Sequence, residues 1–386
     1  MPSSAGTEAG ATMEITVNKQ DLLRELTATQ GVVERKTTIP ILSNFLFEAA
    51  GDRLSITATD LDLSLRTSCS VKVKKDGSCT IPARKLYDYV RLLGDGDVGM
   101  KLLDNHWVQI RSGRSNTKMV GMARANFPAL PPFPAESAIK LPAQVLRNLI
   151  GKTIFSISSE ESRYTLNGAL LVLKPESITM VATDGHRLAH VEHVNPNLQL
   201  PVSGEMKILV PKKAMSELSL LLGSPDGDTV EFAKDESTLF FRIGNRLLTS
   251  RQLTGQFPNY EAVLPRDNNK SVTVHCDELT AAIQRVAQFA DERSNAIRMR
   301  LEQDEMKVSS SNTEIGESED SIETSYAGEP MVIGFNSQYL LEFLKVVGSG
   351  DIRFEFKDAQ TAGQLRPDEA PDSEYKYRYI VMPMRI

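Results

Sequence analysis

Two short patterns recur along this chain at intervals of roughly 125 residues, and internal repetition restricts the possible folds more than any composition figure does. The first is a strand running into a polar corner, Ile56-Thr57-Ala58-Thr59-Asp60. It returns as Met180-Val181-Ala182-Thr183-Asp184 and, more weakly, as Val308-Ser309-Ser310-Ser311-Asn312, at spacings of 124 and 128 residues. The second is a strand entering a helix through a turn: Thr80-Ile81-Pro82-Ala83-Arg84, Leu209-Val210-Pro211-Lys212-Lys213 and Gly334-Phe335-Asn336-Ser337-Gln338, at spacings of 129 and 125. After each turn an apolar helical stretch ends twelve residues on, at Gly94, Gly223 or Gly348, where a glycine C-cap is expected. Three tandem copies of one unit account for both patterns.

Each copy reads as an opening helix, alternating strands, a second helix and further strands. The opening helices show one apolar stripe each: Leu22, Leu23, Leu26 and Val33; Val145, Leu146, Leu149, Ile150, Ile154 and Ile157; Leu279, Ile283, Val286 and Ala290. Strands are expected at Arg53–Ala58, Trp107–Arg111, Ser177–Ala182, Thr229–Phe232, Leu239–Ile243, Met306–Ser310 and Ile352–Phe356. The fold class is therefore α+β, a helix pair packed on antiparallel sheet in each unit. Linkers follow the proline-rich segments Phe127–Pro134 and Phe257–Pro265. Acidic Glu314–Glu323 and the stretch Pro367–Glu374 read as solvated loops.

The chain has 386 residues, 41% apolar and 24% charged, which excludes collagen-like, mucin-like and wholly disordered classes. No run approaches the roughly 18 apolar residues of a bilayer span, and Met1–Met13 lacks the regions of a signal peptide. Cys69, Cys79 and Cys276 have no CxxC spacing, which argues against a disulfide framework or zinc ribbon and makes a reducing cytoplasm the expected home. With a net charge of −6, the whole molecule repels polyanions, so any nucleic-acid role must rest on local charge, geometry or both. Such local charge exists. Each opening helix carries an arginine two positions after a core residue: Arg24 after Leu22, Arg147 after Val145, Arg285 after Ile283. Two helical steps turn through about 200°, placing these arginines opposite the buried stripe. Exposed helices commonly carry Lys and Arg, but repetition at equivalent places in an acidic chain shifts the balance toward a shared basic surface.

Catalytic readings fare less well. His186, His190 and His193 with Asp184 suggest a metal-dependent hydrolase, yet His193 faces away on a strand and no nearby Cys or paired carboxylates complete a set. There is no GxSxG, no reactive-cysteine pattern and no GxxxxGK[ST], so no catalytic residue, metal or cofactor is assigned. A protein or carbohydrate scaffold without DNA is the remaining alternative.

Four segments together resemble the bacterial DNA sliding clamp, the beta subunit of DNA polymerase III: Thr183-Asp184-Gly185-His186-Arg187-Leu188, the preceding Tyr164-Thr165-Leu166-Asn167-Gly168, Phe257-Pro258-Asn259-Tyr260, and Tyr379-Ile380-Val381-Met382-Pro383-Met384-Arg385-Ile386. The resemblance runs from about Met13 to the end. It implies three copies of the DNA-clamp fold, at 13–134, 135–265 and 266–386 after an extension at 1–12, closing head to tail as a ring-shaped homodimer with pseudo-sixfold symmetry. It implies a processivity factor, not an enzyme, that encircles duplex DNA and tethers the replicative polymerase, the clamp loader and repair polymerases through short peptides. The peptide cleft would use Leu166, Thr183, Gly185, His186, Arg187, Leu188, Pro258, Val263, Ile380, Met382, Pro383, Met384 and Arg385, with Arg187 and Arg385 holding polar groups or a carboxylate at the rim. The DNA-facing set would be Arg24, Lys36, Arg84, Arg147, Lys152, Lys212 and Arg285. The dimer seam would lie near Thr117 and Met119 on one side and Gln288 and Phe289 on the other. Four positions depart from the family's common pattern: Glu160, Ala262, Thr117 and Gln288.

Overall fold

The computed structural model describes residues 12–34, 37–223, 227–368 and 373–385. Lys36, most of the 1–12 extension, the middle of Pro367–Glu374 and Ile386 lie outside these. Six helices punctuate the described chain: α1 (Lys19–Thr29), α2 (Ala83–Leu92), α3 (Ala143–Thr153), α4 (Lys212–Leu222), α5 (Cys276–Ala287) and α6 (Ser337–Val347). Every strand pairing is antiparallel.

The residues form two compact units. One is the chain up to Gln144 with Ser216–Gln252, the other Val145–Met215 with the chain from Leu253. In the first unit an eight-stranded sheet runs Ile139–Pro142, Thr229–Lys234, Thr238–Ile243, Arg246–Arg251, Leu63–Ser70, Arg53–Thr59, Asn44–Ala50 and Gly77–Pro82. The join falls between Arg246–Arg251 and Leu63–Ser70, so strands of the first and second repeats share one hydrogen-bond ladder. The second unit holds the matching sheet: Met206–Pro211, Gly168–Lys174, Ser177–Thr183, Arg187–Val194, Tyr375–Val381, Gly363–Pro367, Asp351–Phe356 and Lys270–His275. Here Arg187–Val194 pairs with Tyr375–Val381 and joins the second repeat to the third. The second repeat therefore has no sheet of its own. Each unit also has a second sheet, ending on one side at Ser115–Val120 in the first unit and at Gly316–Glu323 in the second.

The helices form where capping and periodicity agree. Asn18 accepts the Gln20 amide at 2.9 Å to start α1, and Asn336 accepts those of Gln338 and Tyr339 to start α6. Leu22, Leu26, Leu279, Ile283, Val286 and Ala290 are buried as their spacing demands. Val32 takes the core place expected for Val33. Gly348 ends α6 at φ +83°, a positive-φ conformation that glycine adopts without strain. Gly94 does not cap α2; Leu93 already leaves the helix in an extended conformation.

The acidic segment Glu314–Glu323 is not a solvated loop throughout, for Gly316–Glu323 is an edge strand. Ser318, Asp320 and Ile322 alternate inward while Glu317, Glu319, Ser321 and Glu323 face solvent. An edge strand exposed along most of its length needs little apolar patterning, and its charges discourage unwanted pairing.

The polar corners of the first two repeats match bond for bond. Thr59 and Thr183 donate to the carbonyls of Leu63 and Arg187, at 3.0 and 2.6 Å, and accept the amides of Leu61 and Gly185, at 3.0 and 3.1 Å. Asp60 Oδ1 accepts the amides of Asp62 and Leu63, and Asp184 Oδ1 those of His186 and Arg187. Across the join, the Arg251 amide donates to Asp62 and the Met382 amide to His186, at 2.8 and 2.9 Å. The corner needs φ near +85°: Leu61 sits at +82° and Gly185 at +90°.

All three cysteines are buried thiols, and burial, followed by the nearby Glu25 charge, pushes Cys69 up to about 11. Native protein at pH 8 is accordingly expected to give no fast reaction with a disulfide reagent, whereas denatured protein should titrate three thiols. A rapid thiol in the native state would contradict this core.

Candidate functional site

One buried apolar cluster in the second unit includes three of the residues expected in the cleft. Leu170, Val172, Val181, Leu188, Leu209, Leu253, Phe257 and Ile380 are buried together, with Leu166, Tyr260, Leu264 and Ala362 packed partly exposed against them. Leu166, Leu188 and Ile380 were expected here. Pro258, Val263 and Met382 are exposed, and Pro383 and Met384 half-buried. Met384 is held by its amide, which donates to the Gly334 carbonyl at 2.8 Å. Arg385 is exposed. Tyr260, Leu264 and Ala362 were missed; Tyr260 lies within the FPNY motif, while Ala362 comes from a turn with no apolar pattern.

Thr183, Gly185 and His186 build the corner above this cluster, and the exposed His186 ring stacks 6.5 Å from Tyr339. Arg187 differs from expectation. It is 8% exposed, and its guanidinium donates to Asp184 at 3.0 Å, to the Phe155 carbonyl at 2.7 Å and to Glu342, lying 4.4 Å over Tyr339. Its donors face partners from its own chain, so it stiffens the corner and has little left for a rim ligand. A buried cation survives only when paired and hydrogen-bonded in this way. His190 lies buried 5.7 Å from Tyr260; burial, then the Arg378 charge, lowers its pKa to about 4 and keeps it neutral at physiological pH. His193 lies by Tyr375 and Glu374, in a different environment.

Two of the basic residues come together. Arg24 and Arg84 line one cavity of about 780 Å³ in the first unit, with Tyr87, Glu217 and Leu220. Arg24 also pairs with Asp21 at 3.2 Å and with buried Glu25 at 2.9 Å. Arg147 and Lys212 are exposed on α3 and α4. Lys152 is half-buried with its amine 4.7 Å over the Tyr377 ring, and Arg285 is tied to Asp320 on the edge strand. Glu160 pairs with Arg163 at 2.8 Å, and Ala262 is exposed.

Thr117 and Met119 lie on the edge strand Ser115–Val120. Gln288 and Phe289 are not on a strand; they end α5, and Phe289 lies against Gly316 at the start of the other edge strand.

Comparison with known proteins gives the same answer for all three repeats. Family models of the N-terminal, central and C-terminal domains of the DNA polymerase III beta subunit match residues 13–131, 140–259 and 261–385. The beta sliding clamp of Caulobacter vibrioides is 36% identical over 380 residues, covering 97% of this chain and 100% of the relative. That of Escherichia coli is 32% identical over 378 residues with the same coverage. Among solved structures, a sliding clamp from Bartonella birtlesii bound to griselimycin superposes with a TM-score of 0.90 at 33% identity, and the Caulobacter crescentus clamp with 0.88 at 35%; each covers 97% of this chain and 100% of its own. Three tandem clamp domains spanning nearly the whole chain place this protein in the DNA polymerase III beta subunit, or beta sliding clamp, family.

Proposed function

We propose that this protein is a DNA polymerase processivity factor, a homodimeric ring that encircles duplex DNA and tethers the replicative polymerase, the clamp loader and repair polymerases through short peptides. The family membership of all three repeats carries this reading. It is a non-catalytic role in the cytoplasm, with no membrane or cofactor.

Ring closure needs two different faces that meet head to tail. The edge strand Ser115–Val120 and its hairpin carry Arg111, Arg114 and Lys118, while the edge strand Gly316–Glu323 carries Glu317, Glu319, Asp320 and Glu323. Opposite charge on two unpaired edges favours strand addition between copies and disfavours pairing of like edges. Thr117 and Met119 would then meet the acidic strand, with Phe289 packed behind it. The seam should weaken with salt: charge reversal of Lys118 to Glu is expected to raise the dimer dissociation constant about tenfold by sedimentation, as one lost rim pair of ~1 kcal/mol or slightly more would do. An unchanged constant would move the seam elsewhere.

Arg24, Lys36, Arg84, Arg147, Lys152, Lys212 and Arg285 would supply sequence-independent contacts to phosphates, which hold without making the path along DNA rough. Leu166, Leu188 and Ile380, with Tyr260 and Leu264, would form the floor for an apolar peptide anchor, flanked by Pro258, Val263, Met382 and Met384. The test is topological. Loaded on nicked circular DNA by its loader and ATP, the protein should persist in high salt on the circle and be lost once the circle is linearised. Loss from both forms would mean ordinary electrostatic binding.

A further inference from the structure

The bond-for-bond repetition of the polar corner means that the first unit contains a counterpart of the peptide cleft, and a cavity is present there. About 310 Å³ in volume, it is lined by Thr59, Leu61–Ser64, Pro128–Pro131, Thr238 and Thr249–Arg251. The register and the corner hydrogen bonds match Thr59 to Thr183, Leu61 to Gly185, Ser64 to Leu188, Thr249 to Ile380 and Arg251 to Met382, and the repeated Phe-Pro pair at 127–128 and 257–258 matches Pro128 to Pro258. We propose that this cavity is a second peptide-docking site, which accepts an extended segment carrying one aliphatic anchor beside a carboxylate. The proposal rests on the reading of the second-repeat cluster as a peptide cleft.

Three observations support that ligand chemistry. First, the volume lies at the small end of ligand clefts, roughly 300–1,000 Å³. The walls have also become more polar, with Ser64 and Thr249 in place of Leu188 and Ile380, so a single apolar side chain suits the site better than a pair of large ones. Second, Leu61, which lines the cavity, is held at φ +82° and is 47% exposed. A branched residue in the left-handed region is strained, and such strain concentrates at binding sites. The counterpart corner reaches the same conformation with glycine, so the leucine is not needed to make the turn. Third, the rim is charged where the other cleft is apolar. Arg251 replaces Met382 and lies 3.4 Å from Asp62, both side chains largely exposed. An exposed pair of this kind holds weakly. A ligand carboxylate can therefore take Arg251, leaving Asp62 to accept a ligand amide.

Methyl NMR of the full chain, labelled at Leu and Ile, tests this with two probes: acetyl-Ala-Leu-Asp-Ala amide and its lysine analogue acetyl-Ala-Leu-Lys-Ala amide. The acidic probe is expected to give saturable shifts at Leu61, Leu63 and Leu130, and to bind there at least tenfold more tightly than the lysine probe. Arg251→Glu should reverse that preference while the responses of Leu166, Leu188 and Ile380 stay as in the parent. Leu61→Gly should remove the shifts without lowering the melting temperature. Shifts confined to Leu166, Leu188 and Ile380 would overturn the second site and leave the cleft reading intact. Shifts confined to Leu61, Leu63 and Leu130 would uphold docking at the new site and show that these two probes select it over the other cleft. Silence at both, or equal response to both probes at Leu61, would overturn the proposal.

Discussion

Removing residues 382–386 is expected to abolish stimulation of the polymerase while the chain stays folded and dimeric. The last strand, Tyr375–Val381, ends before the cut, and buried Tyr379, Ile380 and Val381 keep their places in the sheet. The described residues lose two tail hydrogen bonds, from the Met382 amide to His186 and the Met384 amide to Gly334, each worth about 0.5–1.5 kcal/mol. The proposed cleft, by contrast, loses Met382, Pro383, Met384 and Arg385 at once. Truncating clustered anchors costs about 2–4 kcal/mol or more, a fall of roughly 30- to 1,000-fold in affinity. Fluorescence anisotropy with a labelled polymerase peptide, primer extension on a loaded circle and light scattering for the dimer separate the effects. Normal extension by the truncated protein would refute the cleft assignment.

Arg246→Ala is expected to destabilise the first unit by about 3–5 kcal/mol, the usual effect of breaking a buried ion pair from one side. Glu25 is 1% exposed, and its carboxylate receives Arg246 at 3.0 and 3.2 Å, Arg24 at 2.9 Å and the Thr67 hydroxyl. Burial alone would raise the Glu25 pKa, but hydrogen bonds from Arg246, Thr67 and Arg24 outweigh it and hold the group below its ordinary 4.5. A carboxylate lowered on folding contributes stability above its unfolded value, lost as pH falls through the folded one. The gap between parent and variant in urea titrations should therefore be widest near pH 7 and close as the pH falls below about 4.5. Replacing Glu25 and Arg246 together by apolar residues should recover much of the loss. A gap independent of pH would mean that Arg246 acts through packing alone.

The threefold repeat was legible because the corner is made by particular atoms: a Thr hydroxyl and an Asp carboxylate cap the same turn twice, so the residue types recur along with the geometry. Leu166, Leu188 and Ile380 were reached only through the family resemblance of the segments that hold them, and the structure buries Leu188 and Ile380 in one cluster with Leu166 packed against it. The acidic edge strand was not, because strand propensity shows through alternation of apolar residues, and Gly316–Glu323 has only Ile322 fully buried. Neither Glu25 nor Arg187 declared its burial. A charge reads as solvent-facing until its partner is known, and Arg246 lies 221 residues from Glu25, Glu342 155 from Arg187. Gly94 misled because its composition suited a cap that Leu93 made unnecessary.

The division of the middle repeat between two ladders bears on how the molecule can be dissected. Excised alone, it would present the bare flanks of Arg246–Arg251 and Arg187–Val194, each a row of unmet amides and carbonyls inviting self-association. Useful fragments must carry a neighbour along, and a lesion in the centre of this polypeptide should be felt by both of its ends.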